Sequence, residues 1–350
     1  DMIGHAEQCV QRWCELTNRD VSSLRQVATP ALDDHFLPPE DTVEPGQLAP
    51  IAARIILKCL YLARIGRPDI LFAVNILARQ VRTWTKACDK RLERLISYIH
   101  HTVEFVQHCY VGNTPDQCQL GLFCDASFAA ELNDSKSTTG AFLCLFGDAT
   151  FVPITWMCKK QGAVSHSSSE AEIIAMDAAL RADGLPALEL WDAVQSILTN
   201  MAANHHEVKQ TLPNYPWHSG ASHDWAKLDY IPQSMAITER TAKLIIFEDN
   251  EAVLKMCVKG RVPTLRHVTR THRVDLDWII ERIKTDSGVS MKYVKTSEQL
   301  ADMLTKANFV APLWKSLLKL HQIGHHQKVN NPPQPEPMFF AMLSVACESA

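Results

Sequence analysis

QLGLFCDASFAAELNDSKSTTGAFLCLFGDATFVPITWM, residues 119–157, decides the fold class. Before Gln119 the apolar residues repeat at three and four; from Gln119 onward the pattern becomes extended. Leu120–Asp125, Gly140–Phe146 and Phe151–Met157 are apolar, aromatic and rich in β-formers. Asn133-Asp134-Ser135 and Gly147-Asp148 separate them as turns, so the stretch predicts a three-strand meander.

Downstream, a helix is expected from about Ser169 to Ala182, then a short buried strand at Leu244–Phe247 that runs into Glu248-Asp249-Asn250. Helices at Glu251–Val258 and His272–Lys284, a strand at Val289–Val294 and a last helix from about Ser297 complete the order βββαβααβα. That order describes a mixed α/β arrangement around one sheet. Residues 197–242 interrupt it: they are polar, carry Pro213, Pro216, Gly220 and Pro232, and keep no period, which marks an insertion. Upstream, Ile55, Ile56, Cys59, Leu60 and Ala63 lie on one helical face, Pro68 suits the first turn of a helix over Ile70–Gln80, and a third helix follows from Lys86 to about Thr102. These make a small, basic, all-helical unit within 51–112. Residues 1–50, one amphipathic stretch followed by a Pro- and Asp-rich loop, are expected as a connector. Residues 311–350, with Pro332, Pro333 and Pro335 near their middle, are expected as a tail or linker.

Nearly half of the 350 residues are apolar, enough to bury a core. The formal net charge of −4 gives no global attraction to nucleic acid, so phosphate binding must come from local patches. Two exist. Ile51–Arg94 holds ten basic residues against three acids, and Lys255, Lys259, Arg261, Arg266, Arg270 and Arg273 form a run without an acid. Solvated helix faces would look the same. Eleven cysteines, several inside apolar runs and none in a C-x-x-C pair, suggest reduced thiols and a cytoplasmic protein. The paired histidines match no cysteine pair at zinc-ligand spacing, which argues against zinc. No apolar stretch reaches the roughly 18–20 residues of a membrane span. The initial Asp1 fits a segment of something longer.

Four acids stand where such a fold can gather them: Asp125 at a strand end, Glu172 in the first helix after the meander, Asp249 past the fourth strand, and Asp302 near the last helix. Strand ends and adjoining helix starts meet at one edge of an open sheet. Clustered carboxylates repel one another unless a divalent cation neutralises them, and hard oxygen donors favour Mg²⁺ or Mn²⁺. Each acid also has a bland reading, as turn residue, cap or solvated helix acid. Glu172 depends on register: Ser167-Ser168-Ser169-Glu170 spells a capping box, and so does Ser169-Glu170-Ala171-Glu172. If Ser167 caps, Glu172 is free for another task.

The stretches CLYLARIGRPDILFAVNILAR, FCDASFAAELNDSKSTTGAFLCLFG, ITWMCKKQGAVSHSSSEAEIIAM, FEDNEAVLK, RTHRVDLDWIIER and TSEQLADMLTKA resemble, in order and spacing, the end of the reverse transcriptase and the ribonuclease H of copia-type LTR-retrotransposon Pol polyproteins. The resemblance covers about 51–308, less the insertion. It implies a thumb- or connection-like segment over 51–112 and, over 117–310, a ribonuclease H-like mixed sheet flanked by helices. It also implies two-metal cleavage of the RNA strand of an RNA–DNA hybrid, with Asp125, Glu172, Asp249 and Asp302 as catalytic and metal-binding residues. The basic run at Lys255–Arg273 would contact hybrid phosphates, and the upstream reverse-transcriptase core would be a partner. Asp275 and Asp277 fall outside the site. The chain departs from the pattern in three ways: Tyr293-Val294-Lys295-Thr296-Ser297 holds no loop histidine, the insertion is foreign to it, and no YxDD motif precedes Leu60. A non-catalytic hybrid-binding or structural remnant of a decayed element is the alternative.

Overall fold

The computed structural model describes residues 1–129, 135–203, 240–260, 268–272 and 274–326. Most of the 197–242 insertion therefore lies outside the described residues. In chain order the elements are α1 (Ile3–Thr17), α2 (Ala49–Ile65), α3 (Leu71–Arg79), α4 (Lys86–His101), β1 (Phe105–Gln107), β2 (Gln119–Ser127), β3 (Thr138–Gly147) and β4 (Thr150–Lys160). There follow α5 (Ser168–Ala179), α6 (Leu185–Ala203), β5 (Leu244–Glu248), α7 (Glu251–Lys259), α8 (Val268–His272), α9 (Leu276–Thr285), β6 (Val289–Tyr293), α10 (Ala311–Leu320) and β7 (Ile323–His325).

The five-stranded sheet has the order β4-β3-β2-β5-β6. β2, β3 and β4 form the antiparallel meander, while β5 and β6 run parallel to β2. A sheet covered on both faces needs apolar residues at consecutive positions, and β2 is buried along almost its whole length. Its alternation decides which residue meets which layer. Phe123, with Phe142, Ile245 and Phe247, faces one core together with α2, α3, α4 and α10. Leu122 and Cys124, with Leu143, Leu244 and Ile246, face the other together with α5, α7 and α9. The fold is thus mixed α/β, a five-strand sheet flanked by helices, and the N-terminal helices share one hydrophobic core with the sheet.

Four segments differ from the sequence reading. Within the expected connector, α1 buries Cys9 and Trp13 completely, because its apolar face packs on α2 and α4. The expected tail begins with α10, which buries Trp314 and Leu317, and with β7, which pairs antiparallel with β1. The helix expected at His272–Lys284 begins only at Leu276, as α9, and His272 instead ends α8: Asp275 has extended backbone, and its carboxylate accepts from Trp278 N at 3.1 Å as the N-cap of α9. The helix expected from Ser297 is a pair of 3₁₀ turns, Thr296–Glu298 and Leu300–Leu304.

A buried polar knot ties the N-terminal helices together. The Arg67 guanidinium donates to both oxygens of Asp69 at 2.8 Å and to the carbonyl and hydroxyl of Thr102, also at 2.8 Å. Tyr98 OH donates to Asp69 at 3.0 Å and accepts from Trp314 Nε1 at 3.1 Å. Burial works against the charge on Arg67, but Asp69 outweighs it and holds the guanidinium proton above its ordinary affinity. No helix among the described residues is long and apolar enough to cross a membrane.

Candidate active site

Strand parity and one tight turn build the site. Asp125 shares the side of β2 that bears Phe123, and at that end of the sheet the Leu300–Leu304 turn packs against it. Gln299, fully buried, clamps the turn by donating to Cys124 O at 2.9 Å and accepting from Ala301 N at 3.3 Å. Thr305 Oγ1 donates to Asp125 Oδ2. Lys306 Nζ then lies 3.3 Å from Asp125 Oδ1 and 2.6 Å from Asp302 Oδ1.

Gly140, opposite Asp125 in the β2/β3 register, is what lets the turn come so close. A Cβ there would meet Thr305 Cγ2 at 2.5 Å and Ala301 O at 2.9 Å. Gly140→Ala is expected to cost about 1–3 kcal/mol in denaturant unfolding, the usual range for overpacking, by pushing the turn away from the sheet. It should also weaken any activity that needs Asp302 beside Asp125. Undiminished stability would mean that the turn yields freely.

On the other side of the sheet, α5 starts as the first of the two registers requires. Ser167 is the N-cap and its Oγ accepts from Glu170 N at 3.1 Å. Glu170 Oε2 turns back to accept from His166 N at 3.0 Å, one residue earlier than a reciprocal box would have it. Its Oε1 lies 3.0 Å from Nε2 of His272, with both side chains buried. Glu172, two residues on and about 200° around the helix, points elsewhere.

Asp125, Asp249 and Asp302 each offer a carboxylate oxygen, all within 4.8 Å of one another; Glu172, Glu248 and Asp249 form a second such group. The four acids singled out in the sequence therefore converge. Asp249 is held by Thr296 Oγ1 at 2.8 Å. Glu248, Lys306, Thr305 and Gln299 join the site without having been singled out. Of the basic run, Lys255 and Lys259 are exposed on α7, and Lys255 pairs with Glu251 at 2.8 Å. The side chains of Arg261, Arg266, Arg270 and Arg273 lie outside the described residues. A cleft of about 330 Å³, lined in part by Ser127, Phe128, Lys160, Lys306 and Asn308, opens beside the cluster.

The electrostatics are those of acids short of cations. Burial, then Asp125, Glu248 and Asp249, push the Glu172 carboxyl well above the ordinary range. Burial, and then the neighbouring Asp249 and Asp125 working against a hydrogen bond from Asn250 N, raise Glu248 to about 8. Burial and Asp125 raise Asp302 to about 8 in spite of Lys306. Glu172 Oε2 and Glu248 Oε2 are buried without a hydrogen-bond partner. Hard oxygen donors, crowded, buried and partly unpaired, fit a divalent cation such as Mg²⁺ or Mn²⁺.

These shifts fix a pH dependence. Between the ordinary carboxylate range and about pH 8 the folded chain keeps protons on Glu248 and Asp302 that the unfolded chain has released, so stability falls as pH rises through that window. In EDTA the unfolding midpoint is expected to drop from about pH 5 to about pH 8, and Asp302→Asn should flatten the drop. A midpoint that rises over the same interval would contradict it.

Comparison with known proteins now bears on this geometry. The chain is 33% identical over 259 residues to the retrovirus-related Pol polyprotein from transposon RE1 of Arabidopsis thaliana, covering 73% of this chain. The chain belongs with the Pol polyproteins of Ty/copia-type retrotransposons. The Pol polyprotein from transposon RE2 of the same plant is 26% identical over 295 residues, 83% of this chain, and that from transposon TNT 1-94 of Nicotiana tabacum is 28% identical over 175 residues, 48% of this chain. The matched stretches span 14%, 16% and 12% of these three Pol polyproteins. No family model matches the chain. No solved structure matches it.

Proposed function

We propose that this segment of a Pol polyprotein is a ribonuclease H-like, metal-dependent endonuclease that cuts the RNA strand of RNA–DNA hybrids during retroelement replication. The observation that carries the reading is the convergence of Asp125, Glu172, Asp249 and Asp302 from four separate segments onto one sheet edge, with ligand oxygens within 4.8 Å inside each of two groups that share Asp249. The mixed sheet order and the descent from Pol polyproteins support it.

Asp125, Asp249 and Asp302, with Glu172, would hold Mg²⁺ or Mn²⁺. A metal pair held by these residues would supply activation of a water and stabilisation of the leaving oxygen of a phosphodiester. The chain's own groups do the rest. Thr305 and Thr296 orient Asp125 and Asp249 through hydroxyl donors, and Lys306 supplies fixed positive charge beside the place where a phosphate would sit. The cleft lined in part by Lys306 is where we place the strand to be cut. Lys259, exposed at the C-terminal end of α7, would make phosphate contacts that position the hybrid without reading its sequence. The upstream reverse-transcriptase core of the same polyprotein is the proposed partner. The test is cleavage of a labelled hybrid by the purified chain in Mg²⁺, with EDTA and single-stranded RNA as controls; binding without cleavage would favour a remnant that only holds hybrids.

A further inference from the structure

Cation binding here follows from the metal-dependent reading above, but the two halves of the acid cluster are not alike. In the Asp125/Asp302 half, Lys306 Nζ already stands between the two carboxylates, and a hydroxyl donates to Asp125. Among the described residues no ion pair reaches the Glu172/Glu248/Asp249 half: Glu248 Oε1 accepts from Asn250 N at 3.1 Å, and Glu248 Oε2 and Glu172 Oε2 have no hydrogen-bond partner. Glu248 is fully buried, and Glu172 is 6% exposed. Strand parity accounts for the meeting. Glu248 shares the side of β5 that bears Leu244 and Ile246, and that is the side on which α5, carrying Glu172, packs.

We propose that Glu248 is a fifth cation ligand, forming with Glu172 and Asp249 a position that fills first, while Lys306 keeps the Asp125/Asp302 position weaker. A purely structural Glu248, capping the turn from β5 into α7, would need one oxygen only. It would leave unexplained why the second oxygen is buried without a partner on a carboxylate that brings an oxygen within 4.8 Å of oxygens from Glu172 and Asp249. A carboxylate at that place costs desolvation that one backbone N–H does not offset. A divalent ion would offset it, and for the same reason a first ion has less to gain where an ammonium already sits.

The test is a Mn²⁺ titration of the full 350-residue chain without nucleic acid, followed by the paramagnetic resonance of free Mn²⁺ and by calorimetry. Two binding events are expected. Glu248→Gln, whose amide oxygen can still accept from Asn250 N, should weaken the tighter event by at least about tenfold, a loss that removing a supporting residue one shell further out already causes. Lys306→Met should tighten the weaker event. Unchanged affinities in Glu248→Gln would overturn the proposal. Should that variant fail to fold, anomalous scattering from Mn²⁺ soaked into crystals of the unmutated protein decides: an ion touching Glu248 supports it, and an ion on Asp249 that leaves Glu248 aside overturns it. Hybrid cleavage with unaltered Mn²⁺ binding in Glu248→Gln would remove this inference and leave the nuclease reading standing. Mn²⁺ on Glu248 without hybrid cleavage would do the reverse.

Discussion

Glu172→Gln is expected to lower hybrid cleavage at least about a thousandfold, some 4 kcal/mol of transition-state stabilisation at about 1.4 kcal/mol per tenfold. Gln has the shape of Glu but carries no charge to neutralise a cation, and Glu172 is buried among Asp125, Glu248 and Asp249. The same substitution should leave the unfolding midpoint unchanged or raise it, because a group whose charged form is disfavoured by burial and by three carboxylates loses nothing by being neutral. Glu170 gives the contrast. It sits two residues away, about 200° around the helix, with His166 N and His272 as partners. Glu170→Gln retains an acceptor for His166 N and should cut at close to the unmutated rate. Glu170→Ala should cost about 1–3 kcal/mol, since the His166 N–H loses its acceptor and the buried His272 ring its carboxylate neighbour. Activity lost in Glu170→Gln and kept in Glu172→Gln would place the wrong glutamate at the site.

The legible parts of this molecule are those encoded locally. The meander follows from alternation and turn residues, and the start of α5 from Ser167 and Glu170, which separates the two glutamates before any contact is known. Asp125, Glu172, Asp249 and Asp302 are found by motif, and the fold gathers them. Glu248 lies inside the quoted FEDN stretch, and strand parity was the signal that singles it out: a carboxylate ending a buried strand, on the side facing the first helix. Lys306 is less accessible, because its i,i+4 relation to Asp302 spans a 3₁₀ turn and the residue after it, and matters only once that turn is known to lie on β2. Gln299 and His272 act across 175 and about 100 residues respectively, so nothing near them in sequence announces a partner. The C-terminal segment was masked differently. Trp314, Leu317 and Leu318 show helical spacing, but the proline-rich stretch that follows dominates the composition of 311–350 and draws the boundary too early.

Asp69→Ala should destabilise the chain by about 3–5 kcal/mol, the range for leaving one partner of a buried ion pair unmatched. Arg67 and Asp69 are 1% and 0% exposed at their side chains, so water cannot take over for the missing carboxylate. The loss would spread. Tyr98 OH donates to Asp69 and accepts from Trp314, so its proton would have no acceptor and α10 would lose a fixed anchor on α4. Replacing both residues, as Arg67→Met with Asp69→Leu, removes the stranded charge and should recover part of the stability. Full recovery is not expected, because Thr102 O and Tyr98 OH both lose Arg67–Asp69 partners. The double-mutant cycle, read by urea unfolding, should show a coupling of about 1–3 kcal/mol. A single-variant cost below about 1 kcal/mol would mean that Arg67 finds solvent or another acceptor when Asp69 is gone. The RPD of the quoted helical stretch would then be only a turn between α2 and α3, and the attachment of α10 to these helices would rest on its apolar face alone.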